Sequence, residues 1–221
     1  MAPPTNGFAL GAAAPPVIGL VDYGMGNRRS VEKALEHVGA SVLVSSDPAA
    51  LARADALVIP GVGAFPKAME RLRALELDRF LIERAAARTP LLGICLGMHL
   101  FFERSGELGG SEGLAVVPGE VRLLATGELK APQIGWNEVR WERRAAVLDG
   151  LGDATAFYHV HSFVAVPADS ADVLGSAEYG ERFASVVVHQ SFLGVQFHPE
   201  KSSHDGLRLL ANWVAASDGG T

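Results

Sequence analysis

The sequence predicts an α/β fold with a mixed, mostly parallel central sheet. In the first half of the chain, short and continuously apolar runs alternate with amphipathic stretches, a pattern typical of parallel strands that helices cover on both faces. From about Gly113 the runs are shorter and follow one another closely, which indicates antiparallel strands or hairpins. The 221 residues, 48% of them apolar, are enough to bury the core of one large domain, and no linker divides them.

The first half alternates strand and helix. A helix is predicted from Arg29 to Val38, where Gly39 ends it, and a longer one from Lys67 to Ala87, because both stretches space their apolar residues as a helix does. A further helix is predicted from about Leu96 to Arg104. The strands between these helices are predicted over 17–21, 41–44, 56–59 and 90–94.

The second half supplies the remaining strands. They are predicted over 114–117, 121–124, 138–141, 156–160, 186–189 and 194–197. A closing helix runs from Leu207 to Val214. We therefore expect one domain over residues 17–217, preceded by a flexible tail over 1–16 that is rich in Ala, Pro and Gly.

Bulk properties exclude several classes of function. The net charge of −6 argues against nucleic acid or an anionic membrane as the main partner, since both attract clustered Lys and Arg. No apolar stretch reaches the roughly 20 residues that cross a bilayer. The single cysteine rules out an intrachain disulfide and suits a reducing compartment, so we expect a cytoplasmic protein.

Cys95 lies in a motif that is typical of a nucleophile. Gly93-Ile94-Cys95-Leu96-Gly97 has the G-x-C-x-G form of a nucleophile elbow, a sharp turn between strand and helix that lifts the nucleophile above the sheet. The flanking glycines let strand and helix approach closely, and the N-terminus of the following helix favours the thiolate. An isolated cysteine is more often a buried core residue, but the elbow favours a catalytic one.

His198 and Glu200 supply what this nucleophile needs. They follow the apolar strand that ends at Phe197, and the proline between them stiffens the segment. A carboxylate beside an imidazole fixes its tautomer and stabilises the imidazolium that forms when the ring takes the thiol proton. The tripeptide alone is a weak signal, but with the elbow it predicts a Cys-His-Glu triad. Five of the other histidines lie in a charged helix face, a polar loop or at strand ends, at positions 37, 204, 159, 161 and 189.

Several further segments resemble one family. The chain is similar to class I glutamine amidotransferases in the segments PGVGAF at 60–65, GICLGMH at 93–99 and QFHPEKS at 196–202. It resembles one branch, the glutaminase subunits of imidazole glycerol phosphate synthase, in the segments DYGMGN at 22–27, KAPQIGWN at 130–137 and FYHVHSF at 157–163. The resemblance covers roughly residues 17–214.

The resemblance implies a three-layer, flavodoxin-like fold and hydrolysis of L-glutamine to glutamate through a glutamyl thioester. The ammonia would pass to a (β/α)8-barrel cyclase subunit in a heterodimer. We expect no cofactor and no metal at the site.

The resemblance also assigns roles to individual residues. An oxyanion hole would use the backbone N–H of Leu96 and one from the loop at Val62 and Gly63, after a peptide flip that glycines make easy. Contacts with glutamine would fall on Gly63, His99, Glu107, Ser162 and Phe163. The residues facing the cyclase would be Asn27, Trp136, Tyr158 and Lys201. From the sequence alone, Trp136 could equally be a core aromatic and Lys201 a solvated surface charge.

The sequence departs from the family pattern at three positions. His99 stands where the family commonly has Gln, Gln133 where it often has His, and Phe163 where it often has Tyr. Two alternatives also stay open. The chain could serve another pathway, such as pyridoxal phosphate synthesis or an anthranilate-type synthase, or it could be a non-catalytic regulatory subunit.

Overall fold

The computed structural model describes residues 14–217. Residues 1–13 of the predicted tail lie outside the described residues, so the tail stays a prediction. The strands are β1 Val17–Val21, β2 Ser41–Ser45, β3 Ala56–Gly61, β4 Leu91–Cys95, β5 Phe102–Ser105, β6 Ser111–Glu112, β7 Val117–Leu123, β8 Gln133–Trp141, β9 Ala154–His161, β10 Phe163–Pro167, β11 Val173–Tyr179, β12 Glu181–His189 and β13 Phe192–Val195. The helices are α1 Arg28–His37, α2 Pro48–Leu51, α3 Phe65–Ala74, α4 Leu77–Ala86, α5 Leu96–His99 and α6 Ser203–Ser217.

The strands form one mixed sheet whose centre is parallel. Its order is β2-β1-β3-β4-β13-β12-β10-β7-β5-β6, with β11 paired to β12 and β8, and β9 paired to β8. The pairings from β2 through β13 are parallel, whereas β12, β10, β11, β8 and β9 pair antiparallel. The predicted α/β class with a mixed sheet is therefore confirmed.

Two apolar cores separate the sheet from the helices on its two faces. One core holds Leu35 of α1 and Leu209 of α6, and the other holds Leu72 of α3 and Leu81 of α4. Both cores take residues from the central strands, which are buried along their whole length, as continuous apolar runs require. This gives the three layers that the sequence pattern predicts. Across residues 14–217, none of the helices combines the length and the apolar character needed to cross a membrane.

Two predicted helices were wrong in extent. The helix predicted over 67–87 is two helices, because Glu76 has a left-handed backbone with φ of 56° and separates α3 from α4. The helix predicted over 96–104 has only four residues. Phe102 instead begins β5, which pairs with β7 and buries Phe102 completely in the second core, so tertiary pairing overrides the local helical pattern.

Candidate active site

A cavity of about 280 Å³ lies where β3 and β4 end. The register of these parallel strands puts Gly61 beside Cys95, so the loop after β3 starts next to the predicted nucleophile. Open α/β sheets place their sites at this edge, and the volume suits a small ligand. The cavity is lined by Val62, Gly63, Cys95, Leu96, His99, Glu107, Val160, His161, Ser162, Phe163, His198 and Lys201.

Cys95 has the strained backbone of a nucleophile elbow. Its φ is 53° and its ψ is −113°, a combination that residues other than glycine rarely adopt. The turn is held by close packing, since a Cβ on Gly97 would lie 1.8 Å from the carbonyl oxygen of Ile59 and one on Gly93 would lie 2.7 Å from the oxygen of Gly97. Only glycine fits at these places. The elbow therefore places Cys95 in the wall of the cavity although the residue is buried, while the four-residue α5 is too short to supply the long helix dipole that the sequence suggested.

The thiol has two polar neighbours besides the predicted triad. Cys95 Sγ lies 3.7 Å from the carbonyl oxygen of Val160, to which it can donate. The Gln196 side-chain amide donates to Sγ from Nε2 at 3.8 Å. Neither Val160 nor Gln196 was among the predicted site residues.

His198 is oriented by Glu200. Nδ1 of His198 lies 3.0 Å from Oε1 of Glu200, and both side chains are almost completely buried. Because Nδ1–H donates to the carboxylate, Nε2 is the ring nitrogen that remains available to exchange a proton with the thiol. Burial lowers the pKa of His198, but its hydrogen bonds to Cys95 and Glu200 outweigh burial and raise the pKa to about 9.

The backbone around His198 is tied to β9. The His198 N–H donates to the carbonyl oxygen of Tyr158 at 2.9 Å. Ser202 Oγ donates to the His198 carbonyl oxygen at 2.7 Å and accepts from the Tyr158 N–H at 2.9 Å. Pro199 starts a 3₁₀ turn directly after His198. His198 itself is extended, as the sequence predicts for a residue before proline, and these hydrogen bonds also hold it in that conformation.

The loop after β3 is anchored at both ends and open between them. Tyr23, whose pKa burial raises above its ordinary value, donates its hydroxyl to the Pro60 carbonyl oxygen at 2.7 Å. The Phe65 N–H donates to Oε2 of Glu107 at 2.8 Å. Between these anchors Val62 is 42% exposed and Gly63 has a φ of 105°. The predicted oxyanion residues thus border the cavity in the part of the loop that has room to move.

The residues predicted to contact glutamine all line the cavity: Gly63, His99, Glu107, Ser162 and Phe163. Glu107 uses one carboxylate oxygen on the loop, as described above, and its other oxygen accepts no hydrogen bond within residues 14–217. His99 is 5% exposed, and its Nε2 is 2.8 Å from Oε1 of Gln196. The Nε2 of His99 is therefore already used in a hydrogen bond within the protein.

His161 is a site residue that the sequence reading left aside. Its Nδ1 donates to the carbonyl oxygen of Phe163 at 3.0 Å, and its buried Nε2 has no partner within the described part of the chain. Burial first, and then the neighbouring His159 and His99, lower its pKa to about 3. The ring is therefore uncharged near neutral pH, with a free acceptor in the wall of the cavity. His161 lies in the segment FYHVHSF at 157–163 that carried the family resemblance, so the sequence contained an indication that it belongs to the site.

Of the four residues predicted to face a partner, one lines the cavity and three lie outside its lining. Trp136 is 56% exposed, which excludes a core role, and its ring packs edge-on against Tyr158 with centroids 6.3 Å apart. Lys201 is exposed and lines the cavity. Asn27 is half-buried in a separate depression that reaches Pro60. Within residues 14–217 no cluster of three or more His, Cys, Asp or Glu could hold a metal ion.

Comparison with known proteins gives a consistent answer. The family described as Glutamine amidotransferase class-I matches residues 19–216. The chain is 47% identical over 197 residues to the imidazole glycerol phosphate synthase subunit HisH of Bacillus cereus (strain G9842), covering 89% of this chain and 93% of that protein. It is 45% identical, with the same coverage, to the HisH subunit of Bacillus thuringiensis subsp. konkukian (strain 97-27). Among solved structures, PurLQS from Thermotoga maritima is similar in fold, with a TM-score of 0.69 at 17% identity over 91% of this chain and 99% of that one.

Proposed function

This chain belongs to the class I glutamine amidotransferase family, and from that membership we propose how its site makes ammonia from L-glutamine. Its similarity to HisH places it in histidine biosynthesis, as the glutaminase subunit of imidazole glycerol phosphate synthase. The observation that carries the mechanism is the strained elbow at Cys95, which opens into a cavity shared with His198. A regulatory subunit would have no need for this strain, and the HisH relatives argue against another pathway.

In the proposed mechanism the reaction starts from a Cys95 thiolate beside a His198 imidazolium. Because its pKa is about 9, His198 carries a proton at neutral pH and can give it to the leaving nitrogen. Cys95 Sγ attacks the side-chain carbonyl carbon of glutamine, the C–N bond breaks, and the nitrogen takes the proton from His198 to leave as ammonia. His198, now neutral, takes a proton from water, whose oxygen attacks the thioester. Glutamate leaves and the thiolate is restored.

The negative oxygen that forms on the substrate carbon needs donors. The Leu96 N–H, at the start of α5, lies directly after the nucleophile, and the second donor comes from the loop at Val62 and Gly63. That loop segment is exposed while its ends are anchored, so a local rearrangement there leaves the rest of the site in place. We expect the cyclase partner to stabilise the active arrangement of this loop.

The test of the chemistry is release of glutamate by the purified chain, with and without the cyclase. Cys95→Ala should abolish release, and His198→Ala should reduce it at least about 100-fold, since general acid and base catalysis contributes that much. His204→Ala is the matched control, because the His204 side chain is 78% exposed. Glutamate release at the normal rate by Cys95→Ala would contradict the mechanism.

The proposed partner surface includes Trp136 and Tyr158, and we assign Lys201 and Asn27 to it as well. An exposed Trp that packs on a half-buried Tyr is typical of the centre of an interface, and the backbone carbonyl of Tyr158 accepts from the His198 N–H, which couples this surface to the site. Trp136→Ala should weaken cyclase binding by at least about 2 kcal/mol, measured by calorimetry. Ile82→Ala, at an exposed apolar residue of α4, should leave binding unchanged. Equal affinities for the two variants would contradict this surface.

We also propose that the protein works in the cytoplasm. Its chemistry depends on one free thiol, and a reducing compartment keeps such a thiol from oxidation.

A further inference from the structure

Three side chains form a buried chain of hydrogen bonds that ends on the nucleophile. His99 Nε2 lies 2.8 Å from Gln196 Oε1, and Gln196 Nε2 lies 3.8 Å from Cys95 Sγ. The three residues come from the end of α5, the position after β13 and the end of β4. Gln196 is completely buried and His99 nearly so, which leaves these groups little access to water.

The direction of these hydrogen bonds is decided by His99. An amide has one donor end and one acceptor end, so Gln196 can turn its NH2 toward the sulfur only while its oxygen faces His99. An imidazole that donates from Nε2 favours this orientation. Burial lowers the pKa of His99 to about 4, although the bond to Gln196 opposes that shift, so the ring donates while uncharged near neutral pH.

The opposite orientation of Gln196 would work against a thiolate. Its carbonyl oxygen would then face the sulfur, and the NH2 group would face His99. Since Gln196 is 0% exposed, water could not compensate for the oxygen turned toward a negative charge. The orientation of this one amide therefore decides whether the sulfur has a donor or an acceptor on this side.

We propose that His99 is a positioning residue that holds the Gln196 amide with its N–H toward Cys95, and that this N–H stabilises the thiolate. The inference rests on the proposed role of Cys95 as the nucleophile. It differs from the role that the family resemblance implies for position 99, a direct contact with glutamine, because Nε2 of His99 is already used by Gln196. The His99 imidazole therefore acts on the sulfur indirectly, by holding the Gln196 N–H toward it.

Other titratable groups also face this region and must be considered in any pH profile. His198, on the segment after β13, has its pKa raised by its interaction with the sulfur, and Tyr23, after β1, is close enough for its pKa to be raised further by Cys95. His161 of β9 faces His99. Tyr23 and His161 keep their uncharged forms near neutral pH, whereas His198, whose pKa is raised to about 9, is protonated there.

The test is the pH dependence of alkylation of the free chain by iodoacetamide. Cys95 is the only cysteine in the sequence, so alkylation reports on it alone. His99→Leu and Gln196→Leu should each move the midpoint of the profile up by about one pH unit, which makes alkylation about tenfold slower below the midpoint. His99→Gln should stay close to the unmodified chain, because an amide can also donate to Gln196. The double Leu variant should shift no further than either single one.

The matched control is His159→Leu, which removes an equally buried imidazole that bonds to Ser185. It should lower the melting temperature without moving the alkylation midpoint. If either Leu variant at position 99 or 196 is unfolded by circular dichroism, the Met variant at that position replaces it. A His99→Leu profile that matches the unmodified chain would overturn the proposal, and so would additive shifts in the double variant.

Alkylation uses no glutamine, so this result is separate from the test of the proposed function. If the midpoint shifts but Cys95→Ala still releases glutamate, the proposed function fails and the positioning role of His99 stands. If Cys95→Ala is inactive but the midpoint does not move, the positioning role of His99 fails and the proposed function stands.

Discussion

Acid should destabilise this protein through buried histidines, and His159 gives the cleanest test. Its side chain is 0% exposed, its Nδ1 donates to the Phe157 carbonyl oxygen at 3.0 Å, and its Nε2 accepts from the Ser185 hydroxyl at 2.9 Å. Both ring nitrogens are therefore satisfied in the uncharged form. Burial is the main cause that lowers the pKa of His159 to about 4, and the charge on His198 adds to it.

The sign and size of the effect follow from the two pKa values. Between pH 6.5 and about 4 the unfolded chain binds a proton at His159 that the folded chain does not, so stability falls as the pH falls through this window. At pH 5 the loss from this one residue is about 2 kcal/mol relative to neutral pH, and it approaches about 3 kcal/mol near pH 4. His99 and His161 add losses of the same sign.

The assay is urea unfolding at pH 7.5, 6 and 5, comparing the unmodified chain with His159→Phe. At pH 7.5 the variant should be less stable by about 1–3 kcal/mol, because Ser185 loses its partner. That difference should shrink by about 2 kcal/mol at pH 5, since the variant no longer has the proton site. His204→Gln, at a side chain that is 78% exposed, should follow the unmodified chain at every pH. A difference for His159→Phe that stays constant from pH 7.5 to 5 would refute the reasoning.

Two more predictions concern the elbow and the triad. Gly97→Ala should lower the free energy of unfolding by several kcal/mol, because its Cβ would lie 1.8 Å from the carbonyl oxygen of Ile59. Gly106→Ala is the control, since its Cβ would meet nothing closer than 4.0 Å. Equal melting temperatures for the two variants would contradict the packing argument. Glu200→Gln removes the carboxylate bonded to His198, so glutamate release should fall by at least about 100-fold and its alkaline limit should move to lower pH. An unchanged alkaline limit in a folded Glu200→Gln protein would show that another group sets it.

The fold class could be predicted because the central strands are buried on both faces and therefore read as continuous apolar runs. The glycine motif around Cys95 was equally readable, since close packing at Gly97 permits no side chain. The helix breaks could not be predicted from the sequence. Nothing in the local pattern around Glu76 indicates a left-handed residue, and the end of α5 depends on the pairing of β5 with β7, which lies outside the segment.

The site was only partly readable for a related reason. Motifs name the residues within a segment, but contacts between segments decide what each residue does. Gln196 stood inside a quoted segment and was passed over, because its bond to Cys95 spans 101 positions of sequence. His161 was set aside as a strand-end histidine, and only burial and an unpartnered Nε2 distinguish it. The roles of the predicted triad, oxyanion and glutamine-contact residues stay predictions until they are tested.

The three positions that depart from the family pattern all lie close to His161. Gln133 is the cross-strand partner of His161, and side chains paired in this way share one face of the hairpin. The Phe163 carbonyl oxygen accepts from His161 Nδ1, and His99 is close enough to lower the pKa of His161 further. Gln133 is 2% exposed and its Oε1 has no partner among residues 14–217. A second imidazole at Gln133 would add another basic group to an interior that already holds several.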